Sequence, residues 1–209
     1  MKKYNNPTIL FPLLGIFIFI CLYVIAATFY PGGSQVDKNS PGFSWINNYW
    51  CNLLNQKAIN GKINPARPVA LFAMLVLCFA LSYFYFLFPK YTPLSKIYKR
   101  IIQFSGIISM FVSLFIFSDF HDIILNIACL IGLIAITGIF AGLWKLKWQK
   151  LFWMGLISVP LIALNNYLYY SKGMLVYLPI VQKISFLYFL LWISFIDFTI
   201  FKIFNNNTK

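Results

Sequence analysis

The sequence predicts an all-α fold, a polytopic membrane bundle of six transmembrane helices with both termini cytoplasmic. Three observations predict it. The 209 residues are 61% hydrophobic and 20% aromatic but only 10% charged, where soluble domains carry about 25% charged residues. Six apolar runs are each long enough to cross the hydrocarbon core as a helix, which takes roughly 18 or more residues. The breaks between the runs hold the Pro, Gly, Lys and Asn, and their basic residues sort by side.

The first run, 8–29, follows Lys2 and Lys3 and resembles a secretory leader. Its apolar stretch exceeds the roughly 7–15 residues of such a leader, and no A-x-A-like site follows, so it is read as a retained first helix. Residues 30–67 form a long outer loop. Within it Ile46, Tyr49, Trp50, Leu53 and Leu54 recur at helical spacing, with Asn47, Asn48, Asn52 and Asn55 on other faces. This predicts an amphipathic interfacial helix over 44–56, with Ser44 as N-cap and Asn60-Gly61 as its stop. Two Trp and a Tyr suit headgroup level, so the helix is placed across the outer mouth.

Span two covers 68–88, span three 101–118, span four 123–144, span five 151–170 and span six 180–201. The basic 89–100 loop and the "KLKWQK" turn at 145–150 face inward, whereas the tight 119–122 turn and the 171–179 loop face outward. Short turns force antiparallel neighbours, so spans three and four, and four and five, are expected side by side. Gly138 and Gly142 form a G-x-x-x-G in span four, a spacing that lets helices approach closely. Packing inside the bundle and a homo-oligomer through Gly138 and Gly142 are the two readings. The whole chain, 1–209, reads as a single membrane domain.

Charge supplies the orientation. Lys2, Lys3, Lys90, Lys96, Lys99, Arg100, Lys145, Lys147, Lys150, Lys202 and Lys209 fall inside, and Lys38, Lys57, Lys62, Arg67, Lys172 and Lys183 outside. Eleven against six fixes the topology by the positive-inside rule. The net charge of +13 is thereby topological, with attraction to anionic lipid headgroups, and no nucleic-acid partner is expected. Membrane lipids are the expected partners. Abundant Asn, Lys, Ile and Phe favour a bacterial plasma membrane. Cys21, Cys78 and Cys129 lie in spans and Cys51 alone lies outside, so no disulfide framework is available there.

Polar side chains inside spans are costly and point to function. Arg67, His121, Asp122, Asn126, Asn165, Asn166 and Lys183 all fall at the outer pole. Asp119, Asp122 and Asn126 share a helical face at i, i+3 and i+7. The inner half is nearly bare apart from Asp197, for which pairing with an inner Lys or Arg and a proton relay are both open.

Three readings of the "FSDFHD" stretch at 117–122 stay open. A metal site at Asp119 and His121 would need further ligands from Asp37 or Cys51, because zinc takes three or four; no metal and no cofactor are assigned. An acid-base site would use Asp119 or Asp122 to orient His121, with Ser118 the available nucleophile. A polar junction would have Asp119 or Asp122 cap the fourth helix, with one carboxylate paired to Arg67 or Lys183.

Six spans, a long first outer loop, Asn64-Pro65 in "NGKINPARP" and His121 with Asn126 in "HDIILNIA" together resemble a known architecture. It is that of the prokaryotic membrane family called domain of unknown function 998. That family is distantly similar to GPI-anchor-remodelling and damage-regulated autophagy modulator membrane proteins. The stretch "YWCNLLNQKAING" departs from it, holding Asn52-Leu53-Leu54 where a Ser-x-Leu-Gly-like segment is expected. The resemblance implies a lipid-related six-helix bundle and carries over no catalytic residues.

The expected function is an outer-facing polar pocket for a lipid headgroup or lipid-linked molecule, lidded by the 44–56 helix. Arg67 and Lys183 would contact phosphate, Asn126, Asn165 and Asn166 would complete the ligand-binding set, and Asp119, His121 and Asp122 would organise the entrance. An outer-leaflet lipid hydrolase or transferase using His121 is the alternative. A small transporter with Asp197 is the third.

Overall fold

The structure, a computed structural model, describes residues 7–118, 120–171 and 173–206. The termini with Lys2, Lys3 and Lys209, and also Asp119 and Lys172, lie outside the described residues. Seven α-helices follow in order among the described residues: α1 Phe11–Thr28, α2 Arg67–Leu87, α3 Lys96–Ser113, α4 His121–Lys145, α5 Gln149–Leu156, α6 Ser158–Tyr170 and α7 Leu178–Asn206. No strand occurs among them, only isolated bridges between Gly32 and Pro41 and between Lys57 and Ile63. The all-α class is therefore as the composition predicts.

Five helical stretches are long and apolar enough to cross a membrane: Pro7–Thr28, Arg67–Tyr91, His121–Lys145, Gln149–Tyr170 and Leu178–Ile203. The third expected span is the exception. Lys96, Lys99 and Arg100 open α3, and its uncharged remainder runs only from Ile101 to Ser113. Beyond Ser113 the chain tightens into successive i→i+3 turns, Phe115 to Val112, Ile116 to Ser113 and Ser118 to Phe115, so the helix stops short of 118. The expected fifth span is broken at Ile157. Pro160 has no N–H, and its ring excludes the carbonyl of Leu156 from the helical ladder.

The chain divides into two compact units. The first comprises Met1–Phe17, Leu75–Gly155 and Leu191–Lys209. Its core is built on small residues that let large ones approach. A Cβ on Gly106 would lie 2.1 Å from the Tyr85 ring, and one on Gly138 would lie 2.3 Å from Ile102. Ser109 Oγ donates across to the Ala128 carbonyl at 2.8 Å, which joins α3 to α4. Spans three and four are thus side by side as expected from their short turn, and Phe152 of α5, the first part of span five, packs on Phe140 and Trp144 of α4. Gly142 is covered by Phe88 and Thr92. The whole G-x-x-x-G face is thus occupied by the chain's own side chains. Large apolar groups on α3 (Ile97, Ile101, Phe104, Ile108, Phe111) are exposed, while Ser105, Gly106 and Ser109 are buried. Water-soluble helices show the reverse pattern.

The α4–α5 turn ends α4 with a 6→1 bond from Trp148 N–H to the Leu143 carbonyl and a bond from Lys147 N–H to the Trp144 carbonyl. That pattern puts its C′ residue in the left-handed region, which usually calls for Gly. Here Lys147 takes it, at φ 58°.

The second unit comprises Ile18–Met74 and Leu156–Leu190. Residues 44–56 do not form the expected amphipathic α-helix. Turns lead into a short 3-10 helix, Trp50–Leu54. Ile46 is exposed, whereas Asn48 and Asn52 are buried with Leu53 and Leu54. The reason is hydrogen bonding: the asparagines satisfy the loop's backbone from within, and an amide competing for backbone groups disfavours a helix.

Candidate functional site

The second unit collects its polar groups beneath the 30–66 loop, and Asn64 is the centre of them. Its Oδ1 accepts from Ala66 N–H at 3.1 Å, an Asx turn that leads through Pro65 and Ala66 into α2. Its amide nitrogen donates to the carbonyls of Asn52, Leu53 and Asn55 at 3.2, 3.1 and 2.9 Å. Three residues on, Arg67 Nε donates to the Leu54 carbonyl at 3.1 Å. Asn48 works similarly. It donates to the Gly33 carbonyl at 2.8 Å and accepts from Ser44 N–H at 2.8 Å. Ser44 Oγ in turn accepts from Asn47 N–H, so Ser44 opens the turn as expected of a cap. Gly33 sits at φ +85°, and a Cβ there would fall 2.5 Å from the Asn60 nitrogen, so the close approach of these strands of loop requires glycine. Tyr30 closes the far side, its hydroxyl accepting from Ile59 N–H at 3.0 Å. Burial pushes the Tyr30 phenol above its ordinary value, and the Ile59 bond partly offsets this.

Lys183, on the first turns of α7, points into this set. It is buried, and its Nζ donates to the carbonyl of Asn48 and, at 2.9 Å, to that of Pro179. Among the described residues no carboxylate meets it, and the Phe43 ring lies 6.0 Å from its Nζ. Among the described residues of the unit Lys38, Lys57, Lys62, Arg67 and Lys183 are cationic, and Asp37 is the one acid. Asp37 is exposed and bonded through Oδ1 to Asn39 N–H at 2.9 Å. A buried ammonium held by neutral carbonyls in a surplus of positive charge leaves a field that favours anions.

Beside Lys183 the loop packs on the helices through rings. Trp50 lies 5.9 Å from Phe19, 5.4 Å from Tyr23 and 5.4 Å from Phe186 by ring centroid. Asn165 donates to Ser185 Oγ at 2.7 Å and to its own helix at Leu161, so its amide ties α6 to α7. Asn166 is exposed and bonds the Ile162 carbonyl. Neither amide donates into the loop cluster.

The remaining expected site residues belong to the first unit. His121 Nδ1 lies 3.0 Å from Asp122 Oδ1, with Asp122 75% exposed. Asp122 therefore pairs with its own neighbour, and it does not cap α4. Phe120 holds the N-cap position with no side-chain bond. Asp122 sits in the first helical turn, where its charge complements the helix dipole. Asn126 is exposed one turn on. Among the described residues no three His, Cys, Asp or Glu gather to hold a metal. Ser118 Oγ is buried with no partner among the described residues and does not meet His121. Asp197, fully buried in α7, makes no ion pair with an inner Lys or Arg among the described residues; the backbone N–H of Leu13 is directed at its carboxyl without close hydrogen-bond geometry.

Arg67 and Lys183, two of the expected ligand-binding residues, both bond carbonyls of the 48–54 stretch. Sequence reasoning missed Asn48, Asn52 and Asn64 as the scaffold, having set the first two on the other faces of a predicted helix. The signal was there in the density of asparagines between 47 and 64.

Fold and site together define a helical, multi-pass membrane protein with an asparagine-stapled loop built around a buried lysine. No family model, curated protein or solved structure matches the chain. The likeness carried by Asn64-Pro65, His121 and Asn126 rests on those residues alone, and the first two have a structural role in the turn that leads into α2.

Proposed function

We propose that the chain is a six-span protein of a bacterial-type plasma membrane whose outward-facing loop region binds an anionic lipid headgroup or lipid-linked phosphate. The observation that carries the reading is Lys183: a buried ammonium with two carbonyl partners, no carboxylate among the described residues, and the Phe43 ring 6.0 Å from it in place of a third hydrogen bond. Arg67 adds a second cation on the neighbouring loop seam. The orientation follows the eleven-to-six division of basic residues. Counting α3 as a span is supported by its exposed apolar and buried small face, the pattern of a helix packed against lipid.

Native mass spectrometry of the detergent-released protein with an anionic and a zwitterionic phospholipid tests this. The anionic lipid is retained by the wild type, and Arg67→Ala and Lys183→Met lose that selectivity while unfolding cooperatively. Unchanged selectivity in both variants would refute the reading.

A second reading, a hydrolase or transferase acting on lipid with His121 as base, draws on the 3.0 Å His121–Asp122 bond. It requires His121→Ala to abolish turnover of a lipid ester without loss of folding.

A further inference from the structure

Among the described residues of the first unit, Asp197 is the one carboxyl that is completely buried. It lies in the span Leu178–Ile203, five residues before Lys202, or about 7.5 Å of helix. Ile193 and Ile200, a turn to either side on α7, are fully buried with it. No Lys, Arg or His among the described residues comes within ion-pair distance. Two groups face it from other elements. One is the Leu13 N–H in the first turn of α1. The other is Tyr91, which closes the 3-10 turn Phe88–Tyr91 after α2 and lies within electrostatic reach of the carboxyl. Tyr83 is next along, in reach of Tyr91 and hydrogen-bonded to Thr8 at 3.0 Å.

An isolated carboxylate out of water is so costly that a buried acid without a cation takes up a proton instead. Larger cations do not fit the site. A metal ion needs several oxygen ligands, and Asp122, the other described acid of the unit, stands at the opposite end of α4 from the Phe88–Thr92 contact. A proton needs no cavity. Ionisable groups held inside membrane spans at such cost mark proton paths and relays. Tyr91 supplies the way out. It is half-buried, next to Lys90, at the pole of the unit where Lys96, Lys99 and Lys145 also stand. Its phenol both donates and accepts, so it can take one proton while releasing another.

We propose that Asp197 is a proton-binding site, exchanging its proton with water at the basic pole of the first unit through the Tyr91 hydroxyl. In the step the carboxyl O–H bond breaks and its proton goes to the Tyr91 oxygen, while the phenolic proton leaves to water. No electron is transferred. The carboxylate left behind turns to the Leu13 N–H and the positive end of α1. Return of a proton reverses each bond, so the seating of the first turn of α1 follows proton occupancy. The proposal stands apart from the lipid reading, which concerns the second unit.

Infrared spectroscopy of the full chain in detergent reads the acid directly, because the chain has only four acidic residues. Wild type at neutral pH shows the carbonyl stretch of a protonated carboxylic acid, and Asp197→Asn and Asp197→Leu lack it while unfolding cooperatively. Absence of that band from wild type, or its persistence in both variants, overturns the proposal. On rapid mixing into D2O the band shifts as the proton exchanges. Tyr91→Phe slows that shift by about a hundredfold, the low end of what a positioned proton carrier contributes. A carboxyl with a structural role alone makes no use of Tyr91, so exchange at the wild-type rate in Tyr91→Phe overturns the route.

Discussion

Replacing Asn64 by alanine should be the most damaging single change in the 30–66 loop. The side chain is 3% exposed, so water does not take over its bonds. Its two amide hydrogens serve the carbonyls of Asn52, Leu53 and Asn55, and its oxygen accepts from Ala66 N–H in the turn before α2. Counting two donors and one acceptor at about 1 kcal/mol each gives a loss of about 3 kcal/mol. For a chain of this length that lowers the unfolding midpoint by about 6–12 °C. Two companion variants separate the roles. Asn64→Ser keeps the turn acceptor and gives up most of the donation, so it should recover about 1 kcal/mol of the loss. Asn64→Asp also keeps that acceptor but turns a carboxylate toward three carbonyls, so it should fall at or below the alanine variant. The assay is thermal unfolding in detergent, with protease cleavage in the 30–66 loop as a local readout. An alanine variant within 1–2 °C of wild type, or an aspartate variant that matches wild type, would refute the claim that this side chain staples the loop.

Lys147→Gly should raise stability by about 1 kcal/mol, because Lys147 holds φ 58° at the C′ position of α4, where only glycine escapes the Cβ penalty; a lower unfolding temperature would contradict it. Asp197→Leu should also stabilise, by about 1 kcal/mol, since the carboxyl is fully buried, no cation pairs with it among the described residues, and the Leu13 N–H is its one backbone neighbour. A collapse of that variant would mean that Asp197 makes a bond the fold needs. Tyr30 supplies a pH dependence. Its folded-state phenol titrates above the ordinary 10.0, burial being the larger cause and the Ile59 N–H opposing it. The folded state thus holds this proton more tightly than the unfolded one, and the contribution is complete below pH 10 and lost as pH rises through the folded value. Loop proteolysis should accelerate in that alkaline window for wild type, and Tyr30→Phe should remove the step.

Element existence was legible in the sequence because hydrocarbon length sets a simple threshold, and the runs at 8–29, 68–88, 123–144, 151–170 and 180–201 all correspond to helices. Where the reading failed, local chemistry had overridden periodicity. Ile46, Tyr49, Trp50, Leu53 and Leu54 have helical spacing, but the asparagine amides between them find better partners in the loop backbone than a helix offers. Pro160 was in plain view inside the fifth run, and an apolar count does not register the missing N–H that breaks it. Arg67 and Lys183 stood out in the sequence because charge in an apolar chain is conspicuous. The burial of Trp50 Nε1 and Gln182 Oε1 did not, because a donor or acceptor is sealed from solvent only once the fold has formed around it.

The account stands most directly on Lys183 as the receptor for an anion. Phospholipid phosphorus co-purifying with the protein, measured in extracts of wild type and of Lys183→Met at matched unfolding temperature, is the decisive quantity. The account predicts about one anionic phospholipid per wild-type chain and its loss from the variant. Equal anionic phospholipid in both, or only zwitterionic lipid in both, would contradict it and leave Lys183 as a structural pin between α7 and the loop.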